Sequence, residues 1–424
     1  MNRTDSRMDR TSSAAFPLSA SSILFLAAAA AAVLEWIFLG GGQFGKYVET
    51  MAIARNLVSD GTFANPFGSL PTGPSAHLAP LYPLFIAAVI KVTGDNALFV
   101  LVMTSSWVLT FALHAALLPY LSTLLFETPV PGIYAAVLAI ALPAFQIMPQ
   151  WEALAAAVAL MVFLLCSERL LCNHAWGIAK GLLAGALAGL LLLLNPMTLA
   201  VEAPWVAWQI WRGRRSPRFW ASFAMAAVLA CTPWTLRNYR QFGQFIFIRD
   251  NFGLEFYTSN NDAAQSSSAA NAVNGCYERM QANHNLAEAK AVRELGETAY
   301  NRSRLKTGMV WVRHHPRRFL CLTAKRALEF WFPSLLDGPR HAYSVWLITV
   351  LSLAGAGLCL AKRAGTAVFP IAAQILYSLP YYVVQSSIRF RYPVLWASLL
   401  LAGFAIHALF SSRMPRQARF INES

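Results

Sequence analysis

Residues 235–263 read TLRNYRQFGQFIFIRDNFGLEFYTSNNDA. They interrupt a chain that is otherwise a succession of apolar windows, and Arg237, Arg240, Arg249, Asp250 and Glu255 stand there among aromatic residues, directly after one such window. Downstream the polar character persists to about Arg313, and apolar windows then resume. An apolar bundle that builds a charged excursion of this size on one face is expected to handle something polar at that face.

Working outward, the class is set by composition. Of 424 residues, 57% are hydrophobic and only 13% charged, outside the range of soluble domains. A hydrocarbon core about 30 Å thick takes roughly 20 apolar residues per helix. Ten windows near that length, bounded by charge, Pro or Gly, fall at 17–39, 98–124, 131–148, 151–168, 178–195, 197–211, 218–235, 342–361, 366–386 and 392–411. Those at 131–148 and 197–211 are short, and the pairs meeting at Pro149 and Pro196 suit tight helical hairpins. Residues 80–92 and 318–332 suit interfacial helices, the second because Arg318, Lys325, Arg326 and Glu329 alternate with Leu, Phe and Trp. The expectation is an all-α polytopic membrane protein of about ten transmembrane helices, with interfacial helices and a small outside domain.

Its organisation reads as a cytoplasmic tail (1–16), an amino-terminal bundle (17–235) containing a first outside loop (40–97), an outside domain (236–341), carboxy-terminal transmembrane helices (342–411) and a second tail (412–424). Orientation follows the arginines. Arg3, Arg7 and Arg10, then Arg169 and Lys180, Arg212 to Arg218, Lys362 and Arg363, and Arg413 to Arg419 fall on one side, which by the positive-inside rule is the cytoplasm. Both termini are then cytoplasmic and the excursion faces the periplasm. Much of the net charge of +14 is thereby topological, and nothing in it asks for nucleic acid. The first apolar run continues through Trp36 to Leu39, longer than a secretory signal core, and reads as a span. Six cysteines without a C-x-x-C pair indicate neither a disulfide framework nor a metal cluster.

In the first outside loop, Val48, Met51, Ile53, Ala54, Leu57 and Val58 form a helical stripe over Tyr47–Ser59, stopped by Asp60-Gly61, with Glu49 on its polar side. Residues 262–276 read as a flexible loop, and 277–310 as one or two helices. Glu35, Glu152 and Glu202 lie near window ends and read as interface or packing residues, while His114 is expected to bond a neighbouring helix. His314 and His315 have no evident carboxylate partner, and no metal site is assigned.

Glu49 followed by Ala54-Arg55-Asn56-Leu57, Gly61 and Pro80-Leu81-Tyr82-Pro83 resembles the GT-C superfamily of polyprenyl-phosphate-sugar-dependent glycosyltransferases, which includes protein O-mannosyltransferases and the lipid A aminoarabinose transferase. Pro233-Trp234 with Arg237-Asn238, then Arg249-Asp250-Asn251-Phe252-Gly253, and Arg389-Phe390-Arg391-Tyr392-Pro393 resemble a bacterial branch of these proteins. The family's acid is usually an Asp a few residues earlier, where Gly45 and Lys46 stand here. The resemblance implies a transferase on the periplasmic face of the cytoplasmic membrane that moves sugar from a polyprenyl-phosphate donor to a glycan, lipid or protein acceptor. Glu49 is the expected base, since a carboxylate can take the acceptor's proton. Arg237, Arg249, Arg389 and Arg391 are the expected phosphate partners, because a guanidinium fork matches phosphate oxygens. His77, Tyr82, Asn251 and Glu255 are candidate sugar or acceptor contacts. No organic cofactor is implied, and a divalent cation stays open. A lipid-linked-glycan flippase and a non-catalytic assembly component are the competing readings; the lack of an internal repeat argues against the first.

Overall fold

The computed structural model describes residues 18–39, 49–145, 152–172, 177–213, 215–361 and 368–413. The expected tails (all of 1–16, most of 412–424), the Pro149 turn, Gly45, Lys46, Arg214, Lys362 and Arg363 lie outside them.

The chain opens with α1 (Leu18–Leu39), followed by α2 (Glu49–Ser59) and, after a turn-rich path, α3 (Leu81–Thr93). The long α4 (Ala97–Phe126) starts where the Asn96 side chain accepts the Leu98 amide and ends at Glu127, which takes a left-handed conformation. Next come α5 (Val130–Ala141), α6 (Ala153–Cys172), α7 (Gly177–Leu194), α8 (Leu199–Trp211) and α9 (Pro217–Phe242). The quoted stretch begins at the end of α9, which Gly243 terminates at φ 67°. It runs into α10 (Phe252–Ser259), α11 (Ser268–Val273), α12 (Cys276–Met280), α13 (Leu286–Leu295), α14 (Glu297–His314) and α15 (Pro316–Trp331), which together form a helical lobe. The chain returns through α16 (Pro339–Ala361), α17 (Val368–Ser378), α18 (Pro380–Val383) and α19 (Tyr392–Arg413).

Seven helices are long and apolar enough to cross a membrane, and no strand occurs among the described residues. The protein is an all-α, multi-pass membrane protein. Three of the ten sequence windows contain shorter helices: α5 has 12 residues, α8 has 13, and the 366–386 window is divided between α17 and α18. Prolines account for the shortening. Pro143 follows α5, Pro196 starts the 3₁₀ turn before α8, and Pro380 stops α17, since none of these nitrogens can donate to a continuing helix. The stretch 262–276 is also more ordered than its composition suggests, because the Ser267 side chain accepts the Ala270 amide and caps α11. His114 does not bond another helix: neither ring nitrogen has a partner among the described residues, and its ring meets Phe145 edge-on at 5.0 Å.

Packing in the bundle relies on small residues. Gly181, Gly185 and Gly189 place a bare face of α7 against α9, and a Cβ at Gly185 would run into the Phe223 carbonyl. The most enclosed span is α19, whose Trp396 is fully buried against α17 through Phe369. The first loop is fastened by backbone to the stretch before α10, where the Asp250 amide donates to Ala76 O at 2.8 Å, and that stretch is held to α14 by the Asn301 side chain, which donates to Asp250 O at 2.6 Å. Gly253 permits that last approach, because a side chain there would strike the Asn301 backbone. The lobe is tied in turn to the final helices by Arg326, a fully buried side chain of α15 that donates to Ser259 O, Asn260 Oδ1 and Val383 O.

Candidate active site

Four separate stretches converge where the lobe meets the bundle. Glu49 begins α2, and its Oε1 accepts a hydrogen bond of 2.6 Å from Asn283 Nδ2. His77 comes from the extended part of the first loop, held by its amide to Ser75 Oγ at 2.9 Å and by its ring against Phe67. Arg249 and Asn251 precede α10, with Arg249 Nε donating to Asn251 Oδ1 at 2.9 Å, and Glu255 follows one turn into that helix. Arg389 lies in the 3₁₀ turn Ile388–Arg391, its guanidinium 5.0 Å from the Phe390 ring centroid. All six of these residues line one cavity of about 180 Å³.

Its electrostatics are mixed by construction. Burial raises the Glu255 carboxyl above its ordinary pKa and the nearby Glu49 adds to that, while Arg249, Arg389 and the Gln385 amide pull it back. Burial, then Arg249, lowers His77 to about 3, so its imidazole is neutral at any physiological pH. The His77 Nδ1 has no hydrogen-bond partner among the described residues. Gln385 fixes the Glu255 side of the wall: its side-chain oxygen accepts from Tyr277 Oη at 2.7 Å and from Asn271 Nδ2 at 2.9 Å, leaving its amide nitrogen 3.4 Å from Glu255 Oε2.

Three expected site residues are placed elsewhere. Arg237 faces the first loop, donating to Ser75 O at 2.7 Å and Phe63 O at 2.8 Å with its guanidinium 4.9 Å from the Trp234 ring, so its donors are spent on fastening that loop to α9. Arg391 is 2% exposed and donates to Trp331 O, to Thr349 Oγ1 at 2.6 Å and to Ser398 Oγ at 2.8 Å, inside the packing of α16 and α19. Tyr82 lines a different cavity, with Phe85, Trp107, Leu154 and Leu194.

Sequence reading missed Glu152, Asn195, Tyr377 and Tyr381, which also line the polar cavity. Asn195 had a signal, being an Asn-Pro pair that breaks an apolar run; its side chain accepts the Met197 amide as α7 gives way to α8. Tyr381 stacks on Phe390 at 4.8 Å and makes, with Tyr377, an aromatic wall. Beside this cavity runs an apolar flank of two hollows of about 290 and 190 Å³, both lined by Leu81 and Leu194. The chain neighbours of Leu194 and Leu154 on that flank are Asn195 and Ala153, which line the polar cavity.

No protein-family model matches this chain, and no curated protein does. Solved structures match by shape. The crystal structure of the Archaeoglobus fulgidus oligosaccharyltransferase with zinc and sulfate superposes with a TM-score of 0.53 at 14% identity, covering 93% of this chain. The archaeal oligosaccharyltransferase AglB from Archaeoglobus fulgidus, in complex with an inhibitory peptide and a dolichol-phosphate, gives 0.52 at 15% identity over 93%. The chain shares its fold with these two structures. It spans about half the length of these structures, 49% and 50% respectively. At such identity the likeness concerns the path of the backbone, and roles for individual side chains rest on the cavity itself.

Proposed function

We propose that this protein is a membrane glycosyltransferase that takes sugar from a polyprenyl-phosphate-linked donor and gives it to an acceptor hydroxyl on the lobe side of the bilayer, by inverting displacement. The arginine distribution in the sequence supports the periplasmic side for that lobe. That hydroxyl belongs to a glycan, a lipid or a protein.

In this reading the acceptor oxygen forms its bond to the anomeric carbon as its proton passes to the Glu49 carboxylate. The bond between that carbon and the phosphate oxygen breaks in the same step, and the electron pair leaves on the polyprenyl phosphate. Arg249 and Arg389 meet the charge that gathers there, where a guanidinium in a site shielded from water is most effective. Neutral His77, Asn251 and Glu255 supply polar contacts for sugar hydroxyls, and the tyrosine wall supplies a face for the ring. The apolar flank offers a path for the polyprenyl tail. Zinc is present in one solved relative. Among the described residues of this chain no three His, Cys, Asp or Glu side chains stand close enough to hold a metal ion.

The observation that carries this reading is that Glu49, Arg249 and Arg389, remote from one another in sequence, line a single cavity at the border of lobe and bundle. The test is glycolipid and glycan profiling of a deletion strain complemented with wild type or Glu49→Gln. Transfer that returns with wild type and fails with the variant, at equal protein level, supports it. Equal rescue by the variant overturns the assignment of the base, and lipid binding and translocation without any new glycosidic bond identifies a transporter instead.

A further inference from the structure

A second cavity, of about 310 Å³, opens where α1, α4, α5 and α16 meet at the lobe end of the bundle. It shares no lining residue with the polar cavity above, and only Trp107 with the apolar flank beside it. Phe145 stands on its wall, with its ring 5.0 Å from Tyr392 on the far side. The rim is charged. Glu35 lies one turn before the end of α1, and Arg340 is the second residue of α16. Among the described residues the Arg340 guanidinium has no hydrogen bond or ion pair. Glu35 Oε1 is approached by His341 Nε2 at 3.8 Å, beyond hydrogen-bond distance, and that buried nitrogen has no other partner among the described residues.

Below the rim the cavity is apolar, walled by Trp107, Phe111 and Ile140. Its outer edge is Leu34 and Phe38, which are 53% and 78% exposed on the surface of a membrane helix. A ligand that fits therefore has hydrocarbon below and both signs of charge above: an anion for Arg340 and a hydrogen-bonding cation for Glu35. A phosphodiester alone would leave Glu35 facing a like charge. A quaternary ammonium would bring a positive charge without a donor hydrogen.

We propose that this cavity binds a bilayer lipid whose headgroup combines a phosphate with a primary ammonium, of the phosphatidylethanolamine type. The phosphate sits on Arg340, the ammonium donates to Glu35, and an acyl chain enters between α1 and α5. Bound there, the lipid covers a charged rim that lies within one turn of two helix ends at headgroup depth.

The full-length protein, in detergent and in nanodiscs, is offered phosphatidylethanolamine, phosphatidylcholine and phosphatidylglycerol with identical acyl chains, and retention is read by native mass spectrometry and lipid extraction. The wild type is expected to retain the ethanolamine lipid about tenfold over either competitor, the scale of one charge-assisted hydrogen bond. Glu35→Gln is expected to bring ethanolamine lipid down to the level of choline lipid, and Arg340→Ala to reduce both. Equal retention of ethanolamine and choline lipids by the wild type overturns the proposal without reference to any variant. Preference for the glycerol lipid does so as well, as does unchanged retention in folded Glu35→Gln and Arg340→Ala proteins.

Discussion

Asn283 Nδ2 lies 2.6 Å from Glu49 Oε1 across 234 positions of sequence, so an amide of the lobe orients a carboxylate of the first loop. If that carboxylate is the base, Glu49→Gln lowers transfer by about 10²- to 10⁴-fold with membrane insertion unchanged. Asn283→Ala leaves the carboxylate in place but unaimed, and a smaller loss, about tenfold, is expected. Initial rates with a polyprenyl-phosphate sugar, normalised to folded protein, measure both. A Glu49→Gln enzyme at wild-type rate removes the carboxylate from the reaction.

Arg249 and Arg389 are expected to act on phosphate, and charge alone does not replace a guanidinium fork. Substitution of either by Ala should weaken binding of polyprenyl phosphate about tenfold or more, with Lys recovering only part of the loss. Titration with the lipid phosphate at two ionic strengths reads this out. Wild-type affinity in the double Ala variant leaves the phosphate without these partners.

Arg237 and Arg391 should behave in the opposite way. Arg237 ties two carbonyls of the first loop to α9, and the buried Arg391 joins Trp331 O to two hydroxyls, so Arg237→Ala and Arg391→Ala, which remove these charge-assisted bonds, are expected to lose about 2–4 kcal/mol of stability. Thermal unfolding in detergent checks the size. Among molecules that remain folded, affinity for lipid phosphate should stay near wild type, in contrast to Arg249 and Arg389.

Glu297 gives a pH test. It is 4% exposed, its Oε1 accepts the Ala76 amide at 2.6 Å, and burial above all raises its pKa to about 7. Because the folded state holds this proton more tightly than the unfolded chain, the contribution to stability is full below about 4.5, falls as pH rises towards 7, and is level above that. Glu297→Gln removes the titration. The wild-type minus variant difference in unfolding free energy should therefore decline by about 1–3 kcal/mol between pH 4.5 and 8. A difference that is flat with pH would falsify the assignment.

The long spans were legible because twenty apolar residues in a row have few other uses in a folded chain. Two windows hold shorter helices because hydropathy averages across Pro143 and Pro380 while the backbone cannot, whereas the short 197–211 window, bounded at Pro196, holds α8 almost whole. Of the expected site residues, Glu49, His77, Arg249, Asn251, Glu255 and Arg389 line the one cavity, but motif reading could not separate Arg389 from Arg391. They sit two apart in a 3₁₀ turn, where successive side chains step by about 120°, so one lines the cavity and the other enters the core. Glu152, Asn195, Tyr377 and Tyr381 were hidden for a different reason: each lies in or beside an apolar window, and only tertiary packing shows which face it turns.

Arg326 has a mechanical consequence. One guanidinium holds the carbonyl of Ser259, one turn beyond Glu255, and that of Val383, six residues before Arg389. Prising these two sides apart would strand a cation in a greasy interior, so the gap between acid and arginine is preset before any ligand arrives.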